Sequence, residues 1–397
     1  MIRVDLSNVS PGTRLAKPIY NEKGAVWLKA GTELTDRYLT LLRLRGVAAV
    51  FVEEPATADV VVREALAEAT RTEATAAVAD LVSGLAPALD EIGGDERELA
   101  HWLETTGGRR TVRNALAPGR VASAAQRLVS DVMSATFASA LVSPKDRDGY
   151  VLSHAVDVAT IAVTIGKLLY LPRQSLVSLA RGCLLMDVGL AMIDPEILNK
   201  PGPLTASERY TIQTHPQLGY ELLRVLQPSE ILANTIALQH HERQDGRGYP
   251  RALSGNNKIH ASAFDRDRGE IAHLAEIAAV ADVYDALCSN RPQRPALPPE
   301  QVVATLRRIG GTHLNRAIVE EFLRNVPVYP VGLSVYVFGP NFGPYRGVVA
   351  RVNRARLDRP VVRVFQNSRG AEVAPFEVDL AEATGLSIRT MPVALAA

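Results

Sequence analysis

Six acidic and imidazole side chains stand in sequence contexts that suggest a bound cation. The chain has eight histidines, and four of them combine with two aspartates in this set. Its members are His154, Asp187, His215, His240, His241 and Asp282. Carboxylate and imidazole are the ligands that divalent cations such as Mn and Fe prefer. Each residue taken alone is more typical of an ordinary core or surface side chain, but the joint pattern predicts a metal site.

The two aspartates lie inside strongly apolar runs. Asp187 falls in RGCLLMDVGLAMI, and Asp282 falls in EIAAVADVYDAL. A carboxylate in an apolar helix is unfavourable unless it is charge-paired, caps a helix or binds a metal. One shared divalent cation would compensate both carboxylates, so the two positions are better explained together than separately.

The adjacent His240 and His241 end the helical part of ALQHHERQDGRGYP. Neighbouring side chains on a helix point about 100° apart, so both reach one site only near a helix end or in a curved pocket. A solvated surface pair is the alternative. The following loop argues against that alternative, because its two glycines permit positive φ and its proline stiffens the exit. Such a loop could hold Tyr249 beside the metal as a stacking surface.

Helices must bring these distant residues together. Apolar residues recur every three or four positions between about 120 and 325, which predicts an all-helical domain. The predicted helices span 152–170, 174–190, 205–225, 229–242, 270–288 and 299–308. The stripe Val121, Ala125, Leu128, Val132 and Ala135 predicts a further helix before them.

The predicted fold class is multidomain and mainly α, with the helical domain at 120–325 between smaller units. Residues 1–53 predict a small α+β unit, with a hairpin turn near 21–24 and a helix capped by Thr35. Residues 326–397 contain short β-type runs separated by Gly, Pro and Asn, which predict a small β-rich unit. Residues 54–119 predict a helical connector. It is either a signalling or dimerising helix or a solvated helix with no partner.

Composition and charge narrow the class of protein. The chain has 397 residues, 44 basic and 43 acidic side chains, and a net charge of +1. That balance excludes a histone-like protein or a polybasic membrane protein. Two cysteines make no disulfide framework and suggest a reducing compartment. Because no signal peptide is evident and charges interrupt the longest apolar windows, we expect a cytoplasmic protein with no membrane span.

The segment HHERQDGRGYP closely resembles the signature of HD-GYP domains, the metal-dependent phosphodiesterases of cyclic di-GMP. The flanking segments DPEILNKPGPLTASE and AVADVYDALCSNRPQRPAL resemble that family in order and spacing. The resemblance covers roughly 145–325. It implies hydrolysis of cyclic di-GMP to pGpG or GMP with one or two ions of Fe or Mn.

The resemblance also implies roles for individual residues. Asp187 is expected to bridge two metals as the Asp of the HD pair. The other implied ligands are His154, His215, His240, His241 and Asp282. The implied dinucleotide-binding residues are Tyr249, Arg291 and Arg294, and the implied loop comprises Gly246, Gly248, Tyr249 and Pro250. A solvated, proline-spaced turn is the alternative for Arg291 and Arg294.

Two positions depart from the family pattern. Met186 stands where the family has the His of the HD pair, and Leu190 stands where it usually has a Lys. A thioether is a poor ligand for Mn or Fe, so Met186 removes one ligand from one metal. Leu190 removes a cation that could stabilise transition-state charge on phosphate. We therefore expect reduced activity.

Three further side chains, His273, His260 and Asp157, are candidates for contact with the predicted ligands. His273 is nine residues before Asp282 and faces away from it on a helix. His260 lies in a polar segment and could swing in to compensate for the lost ligand. Asp157 shares a helical face with His154 and either orients that imidazole or is a plain surface charge.

Three functions remain open from the sequence. The first is an enzyme that hydrolyses cyclic di-GMP. The second is a catalytically inactive adaptor that senses cyclic di-GMP or binds a GGDEF-domain protein. The third is hydrolysis of another phosphate ester, against which the GYP loop argues. A homodimer is a further possibility, and no nucleic-acid polymer is expected as a partner.

Overall fold

A computed structural model describes residues 1–20, 26–45, 47, 49–89, 96–115, 118–135, 150–200, 202–260, 269–289 and 296–390. The first helices are α1 Asp36–Leu44, α2 Glu68–Leu89, α3 Glu96–Glu104, α4 Thr106–Ala115, α5 Pro118–Ser134, α6 Tyr150–Leu168 and α7 Arg173–Leu185. The later helices are α8 Pro195–Leu198, α9 Ala206–Gln213, α10 His215–Leu226, α11 Ile231–Gln239, α12 His273–Cys288, α13 Pro299–Ile309 and α14 Arg316–Asn325. The fold is therefore mainly helical, as predicted.

Helix α6 is the centre of the helical domain. Its side chains are buried almost without interruption from 155 to 166, which is expected of a helix that is apolar on every face. Helices α7 and α12 pack directly against it, and α11 packs against α7. These four helices carry or immediately precede five of the six predicted ligands, so the best-packed part of the molecule positions the candidate site.

The predicted helix at 205–225 is two helices, which corrects that expectation. Helix α9 ends at Gln213, and α10 begins at His215 with Pro216 in its first turn. Proline has no N–H to continue a preceding helix but is favoured at a helix start. The break places His215 at a helix N-terminus. In the same way, the predicted helix at 174–190 ends at Leu185 and is followed by a 3₁₀ turn, Val188–Met192.

The two terminal units are built from antiparallel strands. The N-terminal strands are β1 Ile2–Asp5, β2 Ile19–Tyr20, β3 Val26–Leu28 and β4 Ala49–Val52, paired as β1–β4 and β2–β3. The C-terminal strands are β5 Ser334–Gly339, β6 Phe342–Arg351, β7 Val361–Gln366, β8 Glu372–Asp379 and β9 Ser387–Thr390. They form one sheet in the order β8-β7-β6-β5-β9. The predicted hairpin turn at 21–24 lies outside the described residues.

The terminal units pack against each other, which the sequence did not predict. Val348 and Phe365 of the C-terminal sheet belong to the hydrophobic cluster of the N-terminal unit. The backbone N–H of Arg3 donates to the carbonyl of Gly332 at 2.6 Å. An ion pair between Asp59 and Arg363 adds a second link. The two ends of the chain thus share one hydrophobic core.

Helix α2 is packed rather than solvated over its described side chains. Its residues Ala74, Ala77, Val78 and Leu81 belong to the same hydrophobic cluster as α6 and α7. It also contacts α5 and the 3₁₀ turn that follows Asp187. The predicted division of the chain at 53, 119 and 325 stays a prediction, but the helical connector contributes directly to the main core.

One segment of the described chain, Arg173–Met192, has the length and mean hydropathy of a membrane-crossing helix. It was expected not to qualify because it contains Arg181 and Asp187. Most of its apolar window is buried inside the protein, at 61%. A buried core helix passes the same test, so this result is weak support for a membrane span.

Candidate metal centre

Asp187 is the residue around which the predicted ligands are arranged. It follows α7 and Met186 and begins the 3₁₀ turn, and Gly189 in that turn lies against the backbone of His215. A side chain at position 189 would collide with the His215 carbonyl oxygen, so glycine permits this close approach. Burial opposes ionisation of Asp187, but the neighbouring imidazoles of His215 and His240 hold its pKa well below the usual value.

His215 and His240 direct the same ring nitrogen toward Asp187. Their Nε2 atoms lie 3.4 and 3.6 Å from Asp187 Oδ1 and 3.3 Å from each other. Each Nδ1 atom faces backbone carbonyls: that of His215 is 2.7 Å from the Ile212 oxygen, and that of His240 is 2.9 Å from the Ala237 oxygen. Because Nδ1 must donate there, a neutral ring presents its Nε2 lone pair to the carboxylate.

With both rings neutral, two lone pairs and a carboxylate oxygen face one another, an arrangement that a bound cation satisfies. His241 adds a fourth donor, and the ligand atoms of Asp187, His215, His240 and His241 all lie within 4.8 Å of one another. Metal–nitrogen bonds of about 2.1 Å in a tetrahedral site separate ligand atoms by about 3.4 Å. The shortest separations, 3.3–3.6 Å, match that spacing. The four residues therefore fit a divalent cation.

His241 and Tyr249 lie side by side at the edge of this group. Their ring centroids are 4.8 Å apart with an angle of 31° between the planes. Burial lowers the pKa of His241 well below its usual value, and the adjacent His240 and His215 lower it further. A neutral imidazole is the form that binds a metal. Tyr249 thus stands beside the group, and its role next to a metal stays a prediction.

The remaining predicted ligands, His154 and Asp282, lie on the other side of Asp187. His154 Nε2 is 3.1 Å from Asp282 Oδ1 and 3.8 Å from Asp187 Oδ2. This trio provides one imidazole and two carboxylates. Because His154 lies close to both acids, the two halves of the predicted ligand set meet at Asp187.

Asp285 is a site residue that the sequence analysis missed. Its Oδ2 atom lies 2.6 Å from Nδ1 of His154, and its side chain is fully buried. Burial alone would lower the pKa of His154, but hydrogen bonds to Asp282 and Asp285 raise it from 6.5 to about 9. The signal was present in the sequence, because Asp285 is another aspartate in the apolar run that drew attention to Asp282.

The loop after His241 is fixed by its own backbone and by two acids. Glu242 accepts hydrogen bonds from the N–H groups of Arg251 and Leu253 at 2.7 and 2.8 Å. Asp245 accepts from the guanidinium of Arg243 at 2.8 and 3.0 Å. Gly248 packs so closely against the backbone of residues 241–243 that a Cβ there would clash. These contacts hold the tyrosine of the loop beside His241.

Residues 138–318 match the sequence model of the HD domain family. That range contains every residue of the two groups described above. The chain carries an HD domain. Within this domain, the segment HHERQDGRGYP resembles the signature of the HD-GYP type.

Curated relatives of this HD domain include two phosphodiesterases. The cyclic di-GMP phosphodiesterase PA4108 of Pseudomonas aeruginosa is 31% identical over 238 residues, which are 60% of this chain and 53% of that protein. The 3'3'-cGAMP-specific phosphodiesterase 3 of Vibrio cholerae is 32% identical over 157 residues, which are 40% of this chain and 31% of that protein. The chain thus spans about half or less of these relatives.

A solved structure, titled Bd1817, a HDG"Y"P protein from Bdellovibrio bacteriovorus, is also similar. It is 16% identical in sequence, and the match covers 81% of this chain and 97% of that one. The TM-score is 0.38.

Two positions of the HD motif lack the expected polar side chain. Met186 is fully buried and belongs to the main hydrophobic cluster, and Leu190 is partly buried against it. Neither side chain supplies an oxygen, nitrogen or positive charge near Asp187. The His154 side of the group therefore has one imidazole fewer than the family pattern implies.

Other expected residues lie apart from the centre or cannot be described. Asp157 is fully buried in an ion pair with Arg71 of α2, at 2.6 Å. The sequence predicted that Asp157 either orients His154 or lies on the surface, and the buried contact with Arg71 is neither of these. The ring of His260 packs 5.3 Å from the buried His273. His273 is nine residues, or about 13.5 Å of helix, from Asp282. Compensation by His260 is thus unsupported.

Arg291 and Arg294, expected to help bind a dinucleotide, lie outside the described residues. Their role stays a prediction that rests on the family resemblance.

Proposed function

We propose that this chain is a metal-dependent phosphodiesterase that hydrolyses cyclic di-GMP to pGpG or GMP, at a rate reduced by Met186 and Leu190. One observation carries the proposal most directly. Ligand atoms from three separate parts of the chain, those of Asp187, of His215 and of the adjacent His240 and His241, lie within 4.8 Å of one another and fit a divalent cation.

The proposed ligands fall into two unequal sets that share Asp187. Asp187, His215, His240 and His241 would hold one cation with four protein ligands. His154, Asp187 and Asp282 would hold a second cation with three, so we expect its affinity to be lower. A pair of divalent cations would supply Lewis acidity toward a phosphoryl oxygen and an activated water. Fe and Mn suit this mixture of imidazole and carboxylate.

The loop residues would bind the substrate rather than the metal. Tyr249 is held against His241, so its outer face is available to stack on a guanine base. The proposed roles of Arg291 and Arg294 are to contact the phosphates. Asp285 would hold His154 in the orientation that presents Nε2 to the centre.

The departures at 186 and 190 are the reason for expecting a slow enzyme. A missing imidazole weakens the three-ligand site without removing its other contacts. The missing lysine charge at 190 leaves less stabilisation for the negative charge of the transition state. Losing one such electrostatic donor typically slows catalysis on the order of a hundredfold or more.

A second candidate function follows from the burial of Met186. Because its side chain is part of the hydrophobic core, the chain could keep the fold and the loop without turnover. It would then act as an adaptor that senses cyclic di-GMP or binds a GGDEF-domain protein. Under either function, we propose a cytoplasmic protein whose terminal units regulate or assemble it.

The decisive experiment measures cyclic di-GMP hydrolysis by the purified chain with Mn or Fe. 3'3'-cGAMP and a simple phosphate ester serve as competing substrates. The enzyme proposal expects slow release of pGpG, and a faster rate for Met186→His, which restores the missing ligand. His101→Ala, on the exposed surface of α3, is the control. Folded, metal-loaded protein that hydrolyses none of these substrates, with or without the Met186→His change, would support the adaptor.

A further inference from the structure

A polar groove lies between the connector helix α2 and the HD helices α5 and α7. It has a volume of about 960 Å³, and its lining includes Glu230, which precedes α11. That volume is at the upper end of the range of about 300–1,000 Å³ typical of small-molecule sites. None of its lining residues belongs to the metal centre.

The spacing of residues along the two helices places polar side chains on both walls of the groove. On α5, Gln126 and Ser130 are four residues apart, and on α7, Ser178 and Arg181 are three residues apart. Residues three or four apart lie on one face of a helix. The apolar Val177 also lines the groove, so its walls combine apolar surface with a few polar groups that can contact a polar occupant.

Arg181 is the most deeply placed charge in the groove. Its side chain is only 12% exposed, and its Nη1 atom lies 3.0 Å from Glu230 Oε1. Its buried Nε atom has no hydrogen-bond partner in the described part of the chain. Burial lowers the pKa of Arg181 in spite of the opposing effect of Glu230. A buried guanidinium N–H without an acceptor is unfavourable and is satisfied by an added acceptor.

Arg173 supplies positive charge at the groove mouth. Its Nη2 atom donates to Ser130 Oγ at 2.8 Å, and within the described residues it forms no ion pair. Arg127 pairs with Glu73 at 3.1 Å, and Arg181 pairs with Glu230. Among the described residues, Arg173 is thus the lining guanidinium group without an ion-pair partner. Its charge makes this end of the groove attractive to an anion.

We propose that this groove binds a small phosphate-bearing molecule. Arginine forks match phosphate oxygens in charge and in geometry. A phosphate between Arg173 and Arg181 would accept from both side chains and from the hydroxyl of Ser178 on the same wall. The proposal is independent of the hydrolytic function proposed above.

The position of the groove also connects it to the HD centre. Arg181 lies six residues before Asp187, and Glu230 precedes the helix that ends immediately before His240. The Arg181–Glu230 pair therefore joins the two segments that deliver these metal ligands. An anion that competes with Glu230 for Arg181 would alter the contact between those segments. Binding in the groove would therefore shift the segments that carry Asp187 and His240.

Calorimetric titration of inorganic pyrophosphate into the full chain, treated with a chelator to empty the metal centre, tests the proposal. Arg173→Gln removes a groove charge, and Ser130→Asp adds a repelling one. Arg307→Gln makes the same change at an exposed position on α13 and is the matched control. Circular dichroism and thermal unfolding verify that each variant is folded.

The proposal expects saturable binding that both groove variants weaken by about tenfold or more, while Arg307→Gln binds like the unmodified chain. Absence of saturable binding would overturn it. Equal affinity of the folded groove variants and the unmodified chain would overturn it as well, since binding would then lie elsewhere.

Discussion

Asp285 Oδ2 lies 2.6 Å from Nδ1 of His154, one helical turn beyond Asp282, which contacts the other ring nitrogen of the same histidine. Two acids on one helix therefore hold a single imidazole from both sides. This arrangement resembles the carboxylate–histidine pairs that orient metal ligands in proteins. It gives His154 a fixed ring orientation before any ligand binds.

We predict that Asp285→Asn weakens the cation site that includes His154. The amide can still accept a hydrogen bond, but it no longer increases the basicity of the imidazole. Loss of such a partner typically lowers metal affinity by about 10–100-fold. Titration with Mn would measure it. Asp358→Asn, an exposed change in the C-terminal unit, is the control, and identical Mn affinities for the two variants would show that Asp285 has no such role.

The metal-free protein should lose part of its stability as the pH rises. The pKa of His154 is about 9 in the folded chain, compared with 6.5 for an ordinary histidine. A raised pKa adds stability that is fully present below the unfolded value and is lost as the pH rises through the folded value. The free energies of urea unfolding of the metal-free chain and of His154→Gln should therefore approach each other as the pH rises from about 6.5 to about 9. A constant difference between the two unfolding free energies across this pH range would contradict the contacts assigned to His154.

The same histidine makes cation binding depend on pH. A cation at His154 must displace the proton that Asp282 and Asp285 favour, so binding releases a proton. The affinity of the weaker site should rise as the pH approaches about 9. Calorimetry of Mn binding in two buffers of different ionisation enthalpy measures the released protons. Equal heats in both buffers would exclude the displacement.

The buried pair of Arg71 and Asp157 should matter for stability rather than for chemistry. Asp157 is fully buried, and Arg71 is 15% exposed. Removing one partner leaves an uncompensated buried charge, so Arg71→Met should lower the unfolding free energy by about 3–5 kcal/mol. Arg71→Met combined with Asp157→Leu should recover much of that loss. Arg127→Met, which breaks an exposed pair with Glu73, should cost less than about 1 kcal/mol. Equal losses in urea unfolding would contradict this account.

Tyr249 provides a test of the substrate side of the proposed function. Tyr249→Phe keeps the ring against His241 and should leave the KM for cyclic di-GMP within about threefold. Tyr249→Ala removes the stacking surface and should raise the KM by about tenfold or more, since aromatic stacking on a base is worth about 1–3 kcal/mol. Tyr345→Ala, in the C-terminal sheet, is the control. An unchanged KM for Tyr249→Ala would remove the residue from the proposed binding surface.

Two of the six predicted ligands, Asp187 and Asp282, were predicted because burying an acid among apolar residues needs a specific reason. The structure brings both next to His154, and their role as ligands stays a prediction. The same reasoning would also have found Asp285, had it been applied to every aspartate in the same run. The helix break before His215 was signalled by Pro216, but the periodic pattern concealed it.

Packing between residues that are distant in the sequence was harder to predict. The apolar residues that join the N-terminal unit to Val348 and Phe365 are separated by about 300 positions, and no local pattern links them. Arg71 likewise looks like an ordinary residue of a charged helix. Only the three-dimensional packing of α2 on α6 shows that it pairs with Asp157.

The most direct test of the account is the metal content of the purified chain after exposure to Mn or Fe and removal of free ions. The account predicts at least one retained ion per chain, lost in Asp187→Ala and in His240→Ala and kept in His101→Ala. No retained ion in the folded, unmodified chain, or equal retention in all three variants, would contradict a metal centre built on Asp187.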